Sequence, residues 1–186
     1  MKDETNVKQL IDQVRSAEES ERQKALEAAK AAGPQAVAPL AEAMSSESPE
    51  VARAASRALW NLVHAQGAPG AEHQRQTGAK LVSLLGPETA TEVRREILWM
   101  VSELCDTNQA VRSVAAVLED PTLKEDARTV LERLPGKPAV AALKAGFVSA
   151  DRDFKYALAA SLRKRGARVK GYPSQRLLPT RMKPQS

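Results

Sequence analysis

The fold class this sequence predicts is all-α, a solenoid of about five stacked helical hairpins, and three observations carry that reading. The stretch Glu92–Leu104, EVRREILWMVSEL, repeats Glu50–Leu62, EVARAASRALWNL, in register. Val93, Ile97, Val101 and Leu104 fall forty-two residues after Val51, Ala55, Leu59 and Leu62. Apolar residues at i, i+4, i+8 and i+11 mark one face of an α-helix. Leu123, Ala127, Leu131 and Leu134 repeat the template after a shift of thirty, and Phe154, Leu158 and Leu162 after thirty-one more. Upstream, Ala25, Ala29 and Ala32 match thirty residues before the first copy. A helix recurring at such spacing is the mark of stacked repeats. The second observation is that each copy follows another amphipathic helix. The third is that Pro and Gly stand as punctuation between periodic segments, with no period-two alternation long enough for a sheet.

In chain order, Val7, Leu10, Ile11 and Val14 share a face, so a first helix is expected from about Asn6 to Ser16. Ser20 is placed to cap the next, which should end at Gly33 in a left-handed cap before Pro34 opens another. The second pair is expected over 34–44 and 49–66, with Ser48 as N-cap, Pro49 at the first helical position and Glu50 on the positive helix end. Gly67-Ala-Pro-Gly70 and the polar stretch after it lengthen the third repeat by about a dozen residues. A helix should follow to Leu85, bent or interrupted near Gly78. Thr89 with Glu92 offers a capping box for the central helix. The fourth pair is expected over 108–118 and 121–134 with Asp120 as cap, and the fifth over 138–148 and 151–165, ended by Gly166. The repeat bounds are thus near 4–33, 34–66, 67–105, 107–135 and 137–166. Residues 167–186 read as an extended basic tail containing three prolines.

Hydrophobic residues make up 42% of the 186 and aromatics only 3%, so the core should be thin and built from closely packed Ala, Leu and Val. No apolar run approaches the roughly 18 residues of a membrane span. The N-terminus lacks the apolar core of a secretory signal, and Cys105 is the single cysteine. A cytoplasmic location is expected. The net charge of +5 conceals an asymmetry. Residues 154–186 hold 9 of the 28 Lys+Arg and no acid, which leaves 19 Lys+Arg against all 23 Asp+Glu in residues 1–153. A basic arm on an acidic body has three targets: its own groove, an acidic protein, or phosphates.

Helix, tight turn, helix, five times over, with Pro near many helix starts, resembles the HEAT-repeat family. The residues that carry the resemblance are EVARAASRALWNLV, EVRREILWMVSEL and DFKYALAASLRKRG, within 1–166. The resemblance implies a right-handed α-solenoid of HEAT-like hairpins that binds through the surface of its second helices. For function it implies several things at once, because the family includes scaffolds, chromophore-lyase-like proteins and DNA glycosylases.

Helical spacing places the candidate site residues. At about 100° per residue, Arg95, Trp99 and Glu103 lie roughly opposite the buried face of the central helix. Arg53, Arg57, Trp60 and His64 do so in the earlier copy, and Tyr156 and Lys164 in the last. Stacking the copies aligns Arg53, Arg95, Glu125 and Tyr156 in one row and Arg57, Trp99 and Thr129 in the next. Trp beside Arg is a common composition for an interaction hot spot. The other placement for the two indoles is the crevice between adjacent repeats. In the tail, Arg168, Lys170, Tyr172, Arg176, Arg181 and Lys183 are the candidates for an acidic or polyanionic partner.

No Ser-His-Asp set, phosphate loop or acid–base pair is present, and His64, His73 and Cys105 lack metal-ligand spacing. Glu103 one turn after Trp99 could serve catalysis; the commoner role is a solvated ion pair with Arg95 or Arg133. The expected function is a non-enzymatic scaffold with no cofactor. Its partner is a protein or peptide bearing acidic and apolar groups, bound on the concave face by Arg53, Arg57, Trp60, His64, Arg95, Trp99, Glu103 and Tyr156. The alternative is a nucleic-acid-binding protein, of alkylpurine DNA glycosylase-like type, against which the acidic body counts.

Overall fold

The computed structural model describes residues 2–173. They form α1 (Lys2–Val14), α2 (Glu19–Ala28), α3 (Val37–Ala43), α4 (Pro49–Gln66), α5 (Gln74–Ser83), α6 (Thr91–Leu104), α7 (Asn108–Ala116), α8 (Lys124–Arg133), α9 (Gly136–Ser149) and α10 (Arg152–Lys164). Short 3-10 turns stand at Ala29–Ala31, Pro34–Ala36 and Val117–Glu119, and no strand occurs among the described residues. Odd-numbered helices pack on odd and even on even, while each odd helix also packs on the even helix that follows it. The result is five hairpins in two layers, an all-α solenoid with the core between the layers.

Local chemistry sets several boundaries as expected. Ser48 caps α4 by accepting from the Val51 amide at 3.4 Å, with Pro49 in the first turn. Asp151 caps α10 through the Phe154 amide at 2.8 Å. At the far end of α10 the Gly166 amide donates to the Arg163 carbonyl and the Ala167 amide to that of Leu162. This paired closure needs a left-handed residue, and Gly166 has φ +77°. Thr107 caps α7 through the Ala110 amide.

Elsewhere the ends differ from expectation. Gly33 is extended (φ −83°, ψ −179°), not left-handed, because a residue before proline is driven out of the helical region. The first helix starts and ends earlier than 6–16, and α2 begins after Glu18, whose amide is held by Ser16 Oγ, so Ser20 is not the cap. The Thr89–Glu92 capping box does not form: α6 starts one residue after Ala90, and Glu92 pairs with Arg95 instead. Asp120 does not cap a helix at Pro121. Its carboxylate takes the Thr122 amide at 2.9 Å, a turn forms, and α8 begins at Lys124. Gly78 does not interrupt α5, which runs unbroken from Gln74 to Ser83. A Cβ there would stand 2.8 Å from Cys105 Sγ, so the glycine lets α5 lie against the end of α6.

Ile97, Leu98, Met100, Leu59, Leu62, Leu131 and Leu158 are fully buried, and alanines such as Ala25, Ala29, Ala55, Ala58 and Ala127 let neighbouring second helices approach closely. Leu59, Val93, Ile97, Val101 and Leu131 are buried as their spacing requires. Val51, the first residue of its template, is only half-buried against the core edge.

Polar bonds join successive hairpins across this apolar seam. Asn61 of α4 donates to the Leu26 carbonyl of α2 at 2.9 Å. Arg94, 8% exposed, donates to the Leu85 carbonyl (3.1 Å) and to Asp120 (2.8 Å). Glu132 receives Ser161 Oγ at 2.7 Å and pairs with Lys164. Burial opposes its ionisation, but Lys164, Ser161 and Arg128 outweigh that and hold its carboxyl below the usual range. Arg165 ties three carbonyls around the 132–136 turn: Glu132, Leu134 and Gly136.

Two stability outcomes follow. Ile97→Ala should cost about 2–5 kcal/mol by denaturant titration, the usual penalty for a cavity at a fully buried site, whereas Val51→Ala should cost clearly less. The Asp120 carboxyl is held below its ordinary value first by the Thr122 amide and then by Arg94. A carboxyl with a depressed folded value stabilises the fold above its unfolded pKa of about 3.9, and that contribution fades as pH falls through the folded value. Asp120→Asn should therefore be less stable than the parent at pH 7, and the gap should close in melts taken below about pH 4.

Candidate functional site

The even-numbered helices present the face that spacing assigned to partner binding. The structure sorts its residues into two kinds. Most are bonded to the next hairpin. Trp60 is half-buried, packs against the core edge, and donates Nε1 to Glu96 Oε2 of α6 at 3.2 Å, while its ring meets that of His64 at 5.4 Å. Ser56 donates to the same carboxylate oxygen at 2.6 Å. Arg95 pairs with Glu92 of its own helix and with Asp126 of α8 at 3.3 Å. Glu92 and Asp126, the acids on either side, raise the affinity of that guanidinium for its proton. Glu103 pairs with Arg133 of α8, whose guanidinium also lies 5.7 Å from the half-buried Trp99 ring. Of the two indoles, then, Trp60 fills an inter-repeat crevice with its edge and Trp99 sits under a cation.

Arg53 and Arg57 are of the other kind. Both are exposed on α4, one helical turn apart, and neither guanidinium has a hydrogen-bond or ion partner among the described residues. Glu50, three residues before Arg53, is held below the usual carboxyl range chiefly by backbone amide and Ser48 hydrogen bonds, with the nearby Arg53 charge a smaller cause and no direct ion pair between them. The two arginines overhang a cleft of about 290 Å³ between α4 and α6, whose lining includes Met44, Ala52, Val93, Glu92 and Glu96. The Ser56–Glu96–Trp60 bonds span the cleft from α4 to α6. His64 is exposed two turns beyond Arg57. Sequence spacing identified the arginines but missed the cleft and Glu96, because neither Met44 nor Glu96 stands in the repeated row.

The remaining candidates fall elsewhere. Glu103 is about half-exposed in its ion pair with Arg133. A second cleft, about 210 Å³, opens on the odd-helix side between α5 and the α6–α7 turn, with Val82, Leu104 and Cys105 in its wall. Burial there, with Asp106 adding to it, pushes the Cys105 thiol up to about 11, so it packs as an unreactive apolar group.

The tail begins as a docked strap, not as a free extended arm. Arg163 donates to the carbonyls of Val169 (3.4 Å) and Gly171 (2.6 Å). Ala167 and Val169 face the core edge, leaving Arg168 and Lys170 outward. The Tyr172 ring meets Phe147 at 5.3 Å and Tyr156 at 5.1 Å, both edge-on. Tyr156 and Tyr172 therefore serve each other. Arg176, Arg181 and Lys183 lie outside the described residues. Tyr172→Ala should lower stability by about 1 kcal/mol, the worth of such aromatic pairs, measured by thermal melt, and a change indistinguishable from zero would show the strap to be incidental.

Against this geometry stand the likenesses to known proteins. The family model for the Armadillo/beta-catenin-like repeat matches residues 30–64, the span of one hairpin. No curated protein matches the chain. Among solved structures, a designed armadillo repeat protein in complex with the peptide (KR)4 is 17% identical, with 83% of this chain and 80% of that one covered at a TM-score of 0.45. An engineered protein is 18% identical over 87% of this chain and 81% of its own, at 0.43. A second designed armadillo repeat protein is 15% identical over 84% and 98%, at 0.35. The helix order and the repeat match together make the chain an α-solenoid of helical repeats.

Proposed function

We propose that this chain is a non-enzymatic scaffold that binds a protein or peptide bearing acidic and apolar groups, along the face of α4, α6 and α8. The observation that carries the reading is the cleft between α4 and α6, where Arg53 and Arg57, exposed and without a bonded partner among the described residues, line the opening together with Met44, Ala52 and Val93. Cations next to apolar surface suit a partner with the complementary pattern, and arginine binds carboxylates through two parallel bonds. Repeat folds commonly present such continuous surfaces to extended partners. The neighbouring Arg133–Trp99 pair offers a broad planar contact on the same face.

In this reading residues 1–166 are the binding body and 167–186 a basic extension anchored at its start. The body's repeats are helical hairpins of an α-solenoid; the family likeness found, over 30–64, is to the armadillo repeat and not to the HEAT repeat expected from the sequence, and the 3-10 turn at Pro34–Ala36 stands before α3 in that span. No helix among the described residues is long and apolar enough to cross a membrane, and a cytoplasmic site of action goes with the reading. A peptide with a few acids and apolar groups is favoured over nucleic acid because the cleft sets two arginines beside apolar surface, whereas a phosphate backbone calls for a run of Lys and Arg that a body with more acid than base outside the last helix does not supply.

Selection from a displayed peptide library tests the proposal. Selected peptides should bind the parent protein and lose about thirty-fold or more in affinity on Trp99→Ala, the scale of a hot-spot truncation. Melting should shift little, since the ring is part-exposed. Selected peptides that bind both proteins equally, or a library that yields none, would remove α6 from the binding face and the proposal with it.

A further inference from the structure

We propose that the α4–α6 cleft reads an extended peptide by spacing, accepting acidic side chains at positions i and i+2 with a non-acidic residue between them; this rests on the scaffold reading above. Arg53 and Arg57 are four residues apart on α4, so their attachment points differ by about 6 Å along the helix axis. Alternate residues of an extended strand are about 6.6–6.8 Å apart and point the same way. A strand laid along α4 therefore sets two carboxylates opposite two guanidinium groups in register. Adjacent acids do not, since the second points to the opposite wall.

That opposite wall decides the residue between. It is formed by α6, where Glu92 is already paired with Arg95 and Glu96 is held by Ser56 and Trp60. Glu96 reaches across to α4, where its two donors, Ser56 and Trp60, are neutral, and it has no cation partner among the described residues. A third acid facing α6 would meet this carboxylate, and like charges at such range repel. An apolar residue there meets Val93 of α6, and Met44 adds apolar surface to the lining of the same cleft. The two sides thus differ in sign: Arg53 and Arg57 on α4, without a bonded partner among the described residues, and the Glu96 carboxylate, which reaches across from α6 to Ser56 and Trp60 and has no cation among those residues. Their difference specifies acid–apolar–acid, not a general acidic stretch. This is narrower than the attraction any basic surface has for any acidic peptide, which depends on total charge and is blunted by salt.

The experiment uses the full chain and three fluorescein-labelled peptides of equal length in which only the central three residues differ. They carry Glu-Val-Glu, Val-Glu-Glu (the same composition) or Glu-Glu-Glu, and binding is followed by anisotropy at physiological ionic strength. Glu-Val-Glu should bind about tenfold or more tighter than Val-Glu-Glu, the difference of one charge-assisted hydrogen bond. It should also outbind Glu-Glu-Glu in spite of that peptide's extra charge. Arg53→Glu/Arg57→Glu should abolish binding with an unchanged melt, and Arg53→Lys/Arg57→Lys, which keeps both charges at the same spacing, should weaken binding but keep the order of the three peptides. Equal affinity for the two isomeric peptides, tightest binding by Glu-Glu-Glu, a preference that survives Arg53→Glu/Arg57→Glu, or no binding of any of the three overturns the inference. Where library-selected peptides still depend on Trp99 in any of those cases, the scaffold reading stands without it. Where they do not, both fall.

Discussion

A hairpin of about thirty residues has two faces to hide and only one partner helix of its own, so each repeat here is stable only because the next one covers it. The seam that does this runs between successive even-numbered helices. It is apolar and unusually small-grained, with Ala25, Ala29, Ala55, Ala58 and Ala127 between larger residues such as Leu59 and Ile97. Short side chains bring the helix axes close, and close axes put the polar residues at the edge of the seam within bonding reach of the next hairpin. The Asn61, Arg94, Arg128 and Glu132 bonds all span such a step.

This dependence explains why the face predicted for binding is only partly available. A residue opposite the core on an isolated helix is also beside the neighbouring helix in a stack. Long side chains there find partners across the gap: Arg95 finds Asp126, Glu103 finds Arg133, and Trp60 finds Glu96. Arg53 and Arg57 find none among the described residues, and they stand next to the apolar floor of the cleft. The same logic operates at the end of the stack. After α10, residues 167–173 fold back over α9 and α10, and Tyr172 fills the place against Phe147 and Tyr156. Val148, 77% exposed, is the large apolar side chain the strap leaves uncovered.

The helix faces were legible because burial follows period. Val93, Ile97, Val101, Leu131 and Leu158 needed only the count between apolar residues. The caps at Ser48 and Asp151 and the stop at Gly166 were legible because each is a bond between residues three to five apart. Local signals failed where two of them competed. Gly33 offered a left-handed stop, but Pro34 forced it to extend. Thr89 and Glu92 matched a capping box, but Arg95 one turn on drew Glu92 away. Gly78 read as a helix breaker, yet its missing side chain is the space that Cys105 occupies.

By itself, then, the sequence determined that this chain is helical, that its helices alternate in a repeating pair, and which side of each helix turns inward. It also placed the two arginines on the outer side of α4. What only the tertiary structure decided is which outward residues are already engaged. The pairs Trp60–Glu96, Arg95–Asp126 and Glu103–Arg133 join residues 36, 31 and 30 apart. Their meeting depends on how far one hairpin slides and turns on the next. That register is set by turn lengths and by the packing of alanines against leucines, two layers at once, and no periodicity along one helix contains it. The opening between α4 and α6 is set by the same register, and it leaves Arg53 and Arg57 facing solvent.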